Sequence, residues 1–257
     1  MAKSDLRKVL RAAAGGLPLK RQLVELGAHL PPSLKGEAAI RLFSFFLYRL
    51  ANRSAAVSTN LGFRSGFHVR LPLDAHPVYL FGRPADYRGE IGALQLANHL
   101  LARCDAFIDV GAYLGYFVYY LCFFHPSKTF HYFEPNPKMF RWIEENVRLL
   151  GLKGVKGYEE AMGASEGEGI FHVDESEPLQ SSLVELPPDH RGTRATVRTT
   201  TLDRFLEKTP MTGPCIVKVD VENAEHLFVE GGTRSLHTVP YLILELITQL
   251  LAQNTFA

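Results

Sequence analysis

Apolar residues fall along this chain in short runs separated by amphipathic stretches, a pattern that predicts alternating strands and helices. Ala106 to Val110 is one such run, with Asp109 inside it, and a helix is expected from about Gly115 to Phe124. Phe130 to Phe133 reads as the next strand, ending at Glu134. A second helix is expected to start near Asn136 and Pro137 and stop near Gly151, with Phe140, Ile143, Val147 and Leu150 on one stripe. Val155 to Ala161 is expected as a third strand, Cys215 to Val221 and Tyr241 to Leu246 as two more, and Thr201 to Glu207 as a helix with Asp203 near its cap. Upstream, residues 68 to 82 suggest two short strands, and residues 83 to 104 a turn and then an amphipathic helix. Residues 163 to 200, rich in Gly, Ser, Glu and Pro, are expected to form a hairpin or excursion. The succession implies an α/β fold with a doubly wound, mostly parallel sheet.

The segment AFIDVGAYLGYF followed by FHYFEPNP spells strand, glycine turn, helix, strand, acid. Glycines at 111 and 115 permit positive φ and let backbone N–H groups approach a ligand at a helix N-terminus. Glu134, at the tip of the next strand, stands where an acid can accept both hydroxyls of a ribose. A dinucleotide fingerprint wants three glycines as GxGxxG, whereas GAYLG has two and is preceded by the acid Asp109. That pattern favours S-adenosylmethionine over NAD.

The chain has 257 residues, 46% of them hydrophobic, enough for one large core with an appendage. Residues 1–66 are expected as an N-terminal helical arm and 67–257 as the main domain. Net charge is +1, which offers no global field for nucleic acid, yet residues 1–60 carry ten Lys or Arg against three acids. Ala39 to Ala51 is apolar and aromatic but contains Arg41 and Arg49, and falls short of the about 20 residues that span a bilayer. It is expected to pack on the domain or to contact a membrane surface. Cys104, Cys122 and Cys215 read as reduced, buried thiols of a cytoplasmic protein, and no CxxC or HExxH pattern suggests a metal. No secretory signal is expected, because charges run through the first residues.

In order and sequence these motifs resemble the FkbM family of S-adenosylmethionine-dependent methyltransferases. FIDVGAYLGYF is similar to the family's glycine motif and YFEPNP to its ribose-acid motif, and a helix carrying Asn146 follows. TLDRFL then precedes IVKVDVENAEHLFVEGG, which resembles the family's KxDxEGxE signature. The resemblance implies a class I, Rossmann-like fold. It assigns Asp109, Gly111, Ala112, Tyr113 and Gly115 to the methionine end of the cofactor, Glu134 and Asn136 to the ribose, and Glu160, Ala161 and Met162 to the adenine. Tyr87 and Glu90 are expected to close over the cofactor. Tyr113 stands where the family more often has Asn, and Asn223 where it usually has Gly; Asn tolerates left-handed geometry best after Gly. Two further strands usual in this fold are missing after Leu246, so a chain cut short, poor solubility or a homodimer sealed along the open edge is expected.

Lys218, Asp220 and Glu222 alternate and are expected to share one face, with Glu225 just beyond the turn. Asp220 is the expected base or acceptor-orienting residue, Lys218 sets its charge, and Glu222 or Glu225 lies near the substrate. Strand-end salt bridges and a helix cap are the alternative for these residues, and His226 and His237 are left out of the chemistry. The function expected is O-methyl transfer to a hydroxyl of a sugar, glycolipid or polyketide-like metabolite. The alternative is a catalytically inactive cofactor-binding or partner-binding relic of the same fold.

Overall fold

The computed structural model describes residues 88–174, 181–185 and 192–246, together with the backbones of two strands at 56–59 and 69–72. The chain divides into two compact units, Met1–Arg88 and Gly89–Ala257. In the first, β1 (Ala56–Thr59) pairs antiparallel with β2 (Val69–Pro72), Val57 opposite Leu71. This pair straddles the boundary expected after residue 66 and places a strand inside the stretch read as a helical arm. The β-branched residues of AVST explain it, since they favour a pleated backbone. The expectations for the basic N-terminal segment, for residues 39 to 51 and for Tyr87 lie outside the described residues.

The second unit opens with α1 (Arg88–Leu100) and a 3-10 turn, Leu101–Arg103. Then come β3 (Ala106–Val110), α2 (Tyr116–Phe124), β4 (Thr129–Phe133), α3 (Pro137–Leu149) and β5 (Val155–Tyr158). After an excursion the chain returns through α4 (Leu202–Lys208), β9 (Cys215–Val219), α5 (Glu225–Gly231) and β10 (Tyr241–Leu244). The five strands form one parallel sheet in the order β10-β9-β3-β4-β5. The chain winds outward from β3 in one direction, then restarts on its other side at β9. The order reverses between β3 and β9, and in sheets of this kind ligands bind outside the carboxyl ends of the strands at such a switch.

Burial explains the strand sequences. Every residue of β3 and of β9 is buried, as expected of central parallel strands covered on both faces. On one face Ile108, Val110, Val217 and Val219 pack with Phe133, Leu202, Phe205 and Phe228, which brings α4 and α5 onto the sheet. On the other, Phe107 stacks on Phe117 of α2 at 6.3 Å between centroids and lies 6.4 Å from Phe130. Side chains of this size contribute about 1.5–3 kcal/mol each when fully buried.

Two expectations need correction. On α3 Ile143 is buried as expected, but Met139 and Asn146 are buried with it, while Phe140, Val147 and Leu150 are only half-buried. A buried Asn is accommodated because its amide donates to the Tyr119 hydroxyl at 3.2 Å and to the Trp142 carbonyl at 3.0 Å. The third strand is also broken. After Tyr158 the chain turns at Glu159 and Glu160, and β6 (Ala161–Met162) enters a second sheet with β7 (Gly167–Asp174) and β8 (Gly192–Thr200), in the order β6-β8-β7. The antiparallel β7 and β8 are the hairpin expected within residues 163 to 200.

The three cysteines are buried free thiols. No helix among the described residues is long and apolar enough to cross a membrane. Among those residues β10 pairs with β9 alone.

Candidate functional site

Strand register places Asp109 of β3 directly opposite Lys218 of β9, so both side chains leave the same face of the sheet. The Lys218 ammonium lies 3.4 Å from Asp109 Oδ1 and donates to Asp220 Oδ2 at 3.2 Å. Its Nζ also sits 4.8 Å from the centre of the Phe117 ring, an attraction to the aromatic face that favours the charged form. Asp109 is only 1% exposed, and neither of its oxygens accepts an aligned hydrogen bond. Burial therefore holds its carboxyl above the usual carboxylate range; Lys218 pulls the other way and Asp220 adds to the rise.

The loop after β3 is drawn inward. Gly111 N and Ala112 N both donate to the Phe133 carbonyl, at 3.0 and 3.1 Å, and Gly115 N donates to the Ala112 carbonyl at 2.7 Å. These N–H groups are thus used within the protein rather than offered to a ligand, a correction to the expected backbone cradle. The glycines also serve the fold itself. Gly111 has φ 82°, and a Cβ there would collide with the Asp220 carbonyl oxygen. At Gly115, φ 77°, a Cβ would meet the Tyr119 ring at 2.7 Å and Ile143 at 3.0 Å.

Tyr113 takes the left-handed conformation, φ 49°, which aims its N–H at Glu134 Oε2, 2.7 Å away. Asn136 N donates to the other oxygen, Oε1, at 2.8 Å, while the Asn136 side chain caps α3 by accepting from Lys138 N at 3.0 Å. Glu134 is buried, and burial pushes its carboxyl up to about 8 against the pull of these two N–H groups. Each oxygen keeps lone-pair capacity for a second donor, such as a ligand hydroxyl.

Beyond β9 the backbone kinks. The strand ends at Val219, so Asp220 and Glu222 belong to the turn and not to the strand on which they were expected to alternate. Glu222 and Asn223 both take positive φ, 52° and 73°. Asn223 was expected to tolerate this geometry and does; Glu222 shares it, which nothing in its residue type announced. Glu225 Oε1 accepts from Asn223 N at 3.2 Å and so closes the turn before α5. Burial, followed by the charges of Asp220, Glu245 and Glu225, pushes the Glu222 carboxyl up to about 8, opposed by Lys218.

The remaining expected residues lie to the side. Ala161 and Met162 are buried in hydrophobic clusters, and Glu160, in the turn before them, pairs with Arg198 at 3.4 Å. Glu90 sits in the first turn of α1. Phe117 beneath Lys218 and Ser182, whose hydroxyl donates to the Val221 carbonyl at 3.0 Å, were not foreseen. Phe117 ends the glycine motif and Ser182 lies in none; nothing in the sequence sets either beside the residues after β9. An open groove of about 530 Å³ runs along the start of α3, lined by Lys138, Arg141 and Trp142 among others, and none of Asp109, Glu134, Lys218 or Asp220 lines it. The chemistry converges instead at the switch crevice. Asp109 and Glu134, at neighbouring strand ends, suit a ligand with a cationic donor and vicinal hydroxyls; Asp220, on the same ammonium as Asp109, and Glu222 follow β9.

Comparison with known proteins places the chain in a family. A model of the methyltransferase FkbM domain matches residues 109–253. Hexuronic acid methyltransferase AglP of Haloferax volcanii is 27% identical over 183 residues, covering 71% of this chain and 72% of that protein. Among solved structures, coclaurine N-methyltransferase bound to N-methylheliamine and SAH is 14% identical with TM-score 0.25, covering 62% of this chain and 44% of that one. The chain thus spans less than half of that enzyme. A transferase of Pyrococcus horikoshii, PH0793, is 11% identical with TM-score 0.31, over 70% of this chain and 98% of that one. Superpositions this loose bear no weight beside the strand order itself.

Proposed function

Because this chain belongs to the FkbM methyltransferase family, we propose that it moves a methyl group from S-adenosylmethionine to a hydroxyl of a sugar, glycolipid or polyketide-like metabolite. The observation that carries the cofactor assignment is the pairing of Asp109 and Glu134 around a loop whose N–H groups turn inward. A dinucleotide needs exposed N–H groups for its pyrophosphate. S-adenosylmethionine has no phosphate, but brings an ammonium and a ribose diol, and these fit a buried carboxylate lacking donors and a second carboxylate with spare lone pairs.

Bound there, the cofactor supplies an electrophilic methyl on a sulfonium. The chain's part is positioning and proton handling. Asp109 holds the ammonium, Glu134 receives the ribose hydroxyls, and Tyr113 N and Asn136 N fix the Glu134 carboxylate. Asp220 would take the proton of the acceptor hydroxyl, and Lys218, donating to it at 3.2 Å, would keep it in place. The likeness to an enzyme named for hexuronic acid supports a sugar among the acceptor classes.

Calorimetric titration of the folded chain with S-adenosylhomocysteine tests the assignment. Saturable binding is expected, and Glu134→Ala should weaken it by at least about 1.4 kcal/mol, tenfold in Kd, since a buried partner of two hydroxyls is lost. A folded wild type that does not bind would overturn the reading.

A further inference from the structure

We infer that Lys218 couples the two sides of the crevice: held between Asp109 and Asp220, it lets occupancy of the Asp109 side govern how firmly it holds Asp220. The inference rests on the reading above, in which a cofactor ammonium meets Asp109.

The geometry is that of one ammonium serving two carboxylates. Lys218 Nζ is 3.4 Å from Asp109 Oδ1 and 3.2 Å from Asp220 Oδ2, and its side chain is 7% exposed. The two acids differ in what else they have. Asp109 is buried and accepts no aligned hydrogen bond, so Lys218 is its nearby compensation; Asp220 is more open, its side chain 27% exposed, and reaches solvent. A ligand ammonium arriving at Asp109 supplies the missing positive charge. Lys218 is then attracted less toward Asp109 and repelled by the newcomer, and its hydrogen bond to Asp220 is favoured. The acceptor-side carboxylate is thereby fixed when the methyl donor is in place and held less firmly when it is not.

Linkage makes the effect reciprocal: what happens at Asp220 must be felt by a ligand at Asp109. The Phe117 ring, 4.8 Å from the ammonium, helps to hold it beside both acids. Lys218 acts here as a positioning residue, since its effect passes through the two acids.

A double-mutant cycle tests this, read by calorimetry with S-adenosylhomocysteine and by NMR titration of the Asp109 carboxyl in the ligand-free chain. In the cycle, Asp220→Asn should weaken S-adenosylhomocysteine binding about fivefold, because Lys218 then turns wholly to Asp109 and competes with the ligand ammonium. With Lys218→Met added, Asp220→Asn should have a much smaller effect. Lys218→Arg should preserve the coupling, and circular dichroism should establish that each variant is folded; Lys218→Gln replaces Lys218→Met if the latter does not fold. In the ligand-free chain, Asp220→Asn should move the Asp109 titration downward further when Lys218 is present than when it is absent. Additive effects on binding, or an Asp109 titration indifferent to Lys218, would overturn the inference. A folded wild type that binds no S-adenosylhomocysteine sinks the cofactor reading instead, and the ligand-free titration then decides by itself whether the ammonium is shared.

Discussion

Glu134, at the tip of β4, and Glu222, just past β9, are both carboxyls that burial drives up to about 8, yet the backbone treats them in opposite ways. Around Glu134 the chain spends a strained residue, Tyr113 at φ 49°, to aim an N–H at the acid, and a second N–H comes from the residue that caps α3. Around Glu222 the strain falls on the acid itself, φ 52°, and its neighbours are other carboxyls: Asp220, Glu225 and Glu245. One carboxyl is pinned by two backbone N–H groups; the other is left among like charges, where its protonation answers to its surroundings.

The contrast is sharpest in turnover. Asp220→Asn should lower kcat/KM by about 10²- to 10⁴-fold while S-adenosylhomocysteine affinity stays within about tenfold, because only the acceptor side loses its proton handler. Near-normal turnover in steady-state assays would remove Asp220 from the chemistry. Next in size is Gly111→Ala, expected to cost at least about 2 kcal/mol, since it combines a left-handed backbone with a collision against the Asp220 carbonyl. A thermal unfolding midpoint close to wild type would show that the two sides of the crevice do not press on one another there.

The pH dependence comes third. Both acids have folded values raised from 4.5 to about 8, so the folded chain binds more protons than the unfolded one between those limits. Their contribution to stability is complete below about 4.5, falls as pH rises, and is gone above about 8. Glu134→Gln and Glu222→Gln should each flatten the decline in unfolding midpoint between pH 5 and 8. If neither variant changes that slope, the acids are not held protonated. The smallest effect belongs to Asn223→Gly, expected to change stability by less than about 1 kcal/mol, because relief of the positive φ is offset by extra freedom in the unfolded chain.

The alternation of apolar runs and amphipathic helices was legible because central parallel strands are buried on both faces, and β3 and β9 are apolar apart from Asp109 and Lys218. Glu134 and the glycines were legible because their spacing encodes a turn and a strand tip. The break between Tyr158 and Ala161 was not, since both halves of the apolar stretch remain strand and only the partner sheet changes. The buried stripe of α3 was only partly legible for a related reason: Asn146 can be buried because Tyr119, on another helix, supplies its partner. The role of the glycine loop was misread in direction, because a sequence names its N–H groups without saying that the Phe133 carbonyl will take two of them. The sharing of Lys218 depends on register between two distant strands, and register between strands is not local information.

That distance has a consequence for how the chain acquires its shape. The units β3-α2-β4-α3-β5 are contiguous and can associate early, and burying β3 within them also buries Asp109. Its compensating charge arrives only when β9, synthesised much later, docks beside β3 in the right register. Until then a partly folded chain carries an acid that must either stay protonated or hold the layer open to water. The salt bridge between Asp109 and Lys218 thus ties the burial of an acid in the first half of the sheet to the docking of a strand from the second.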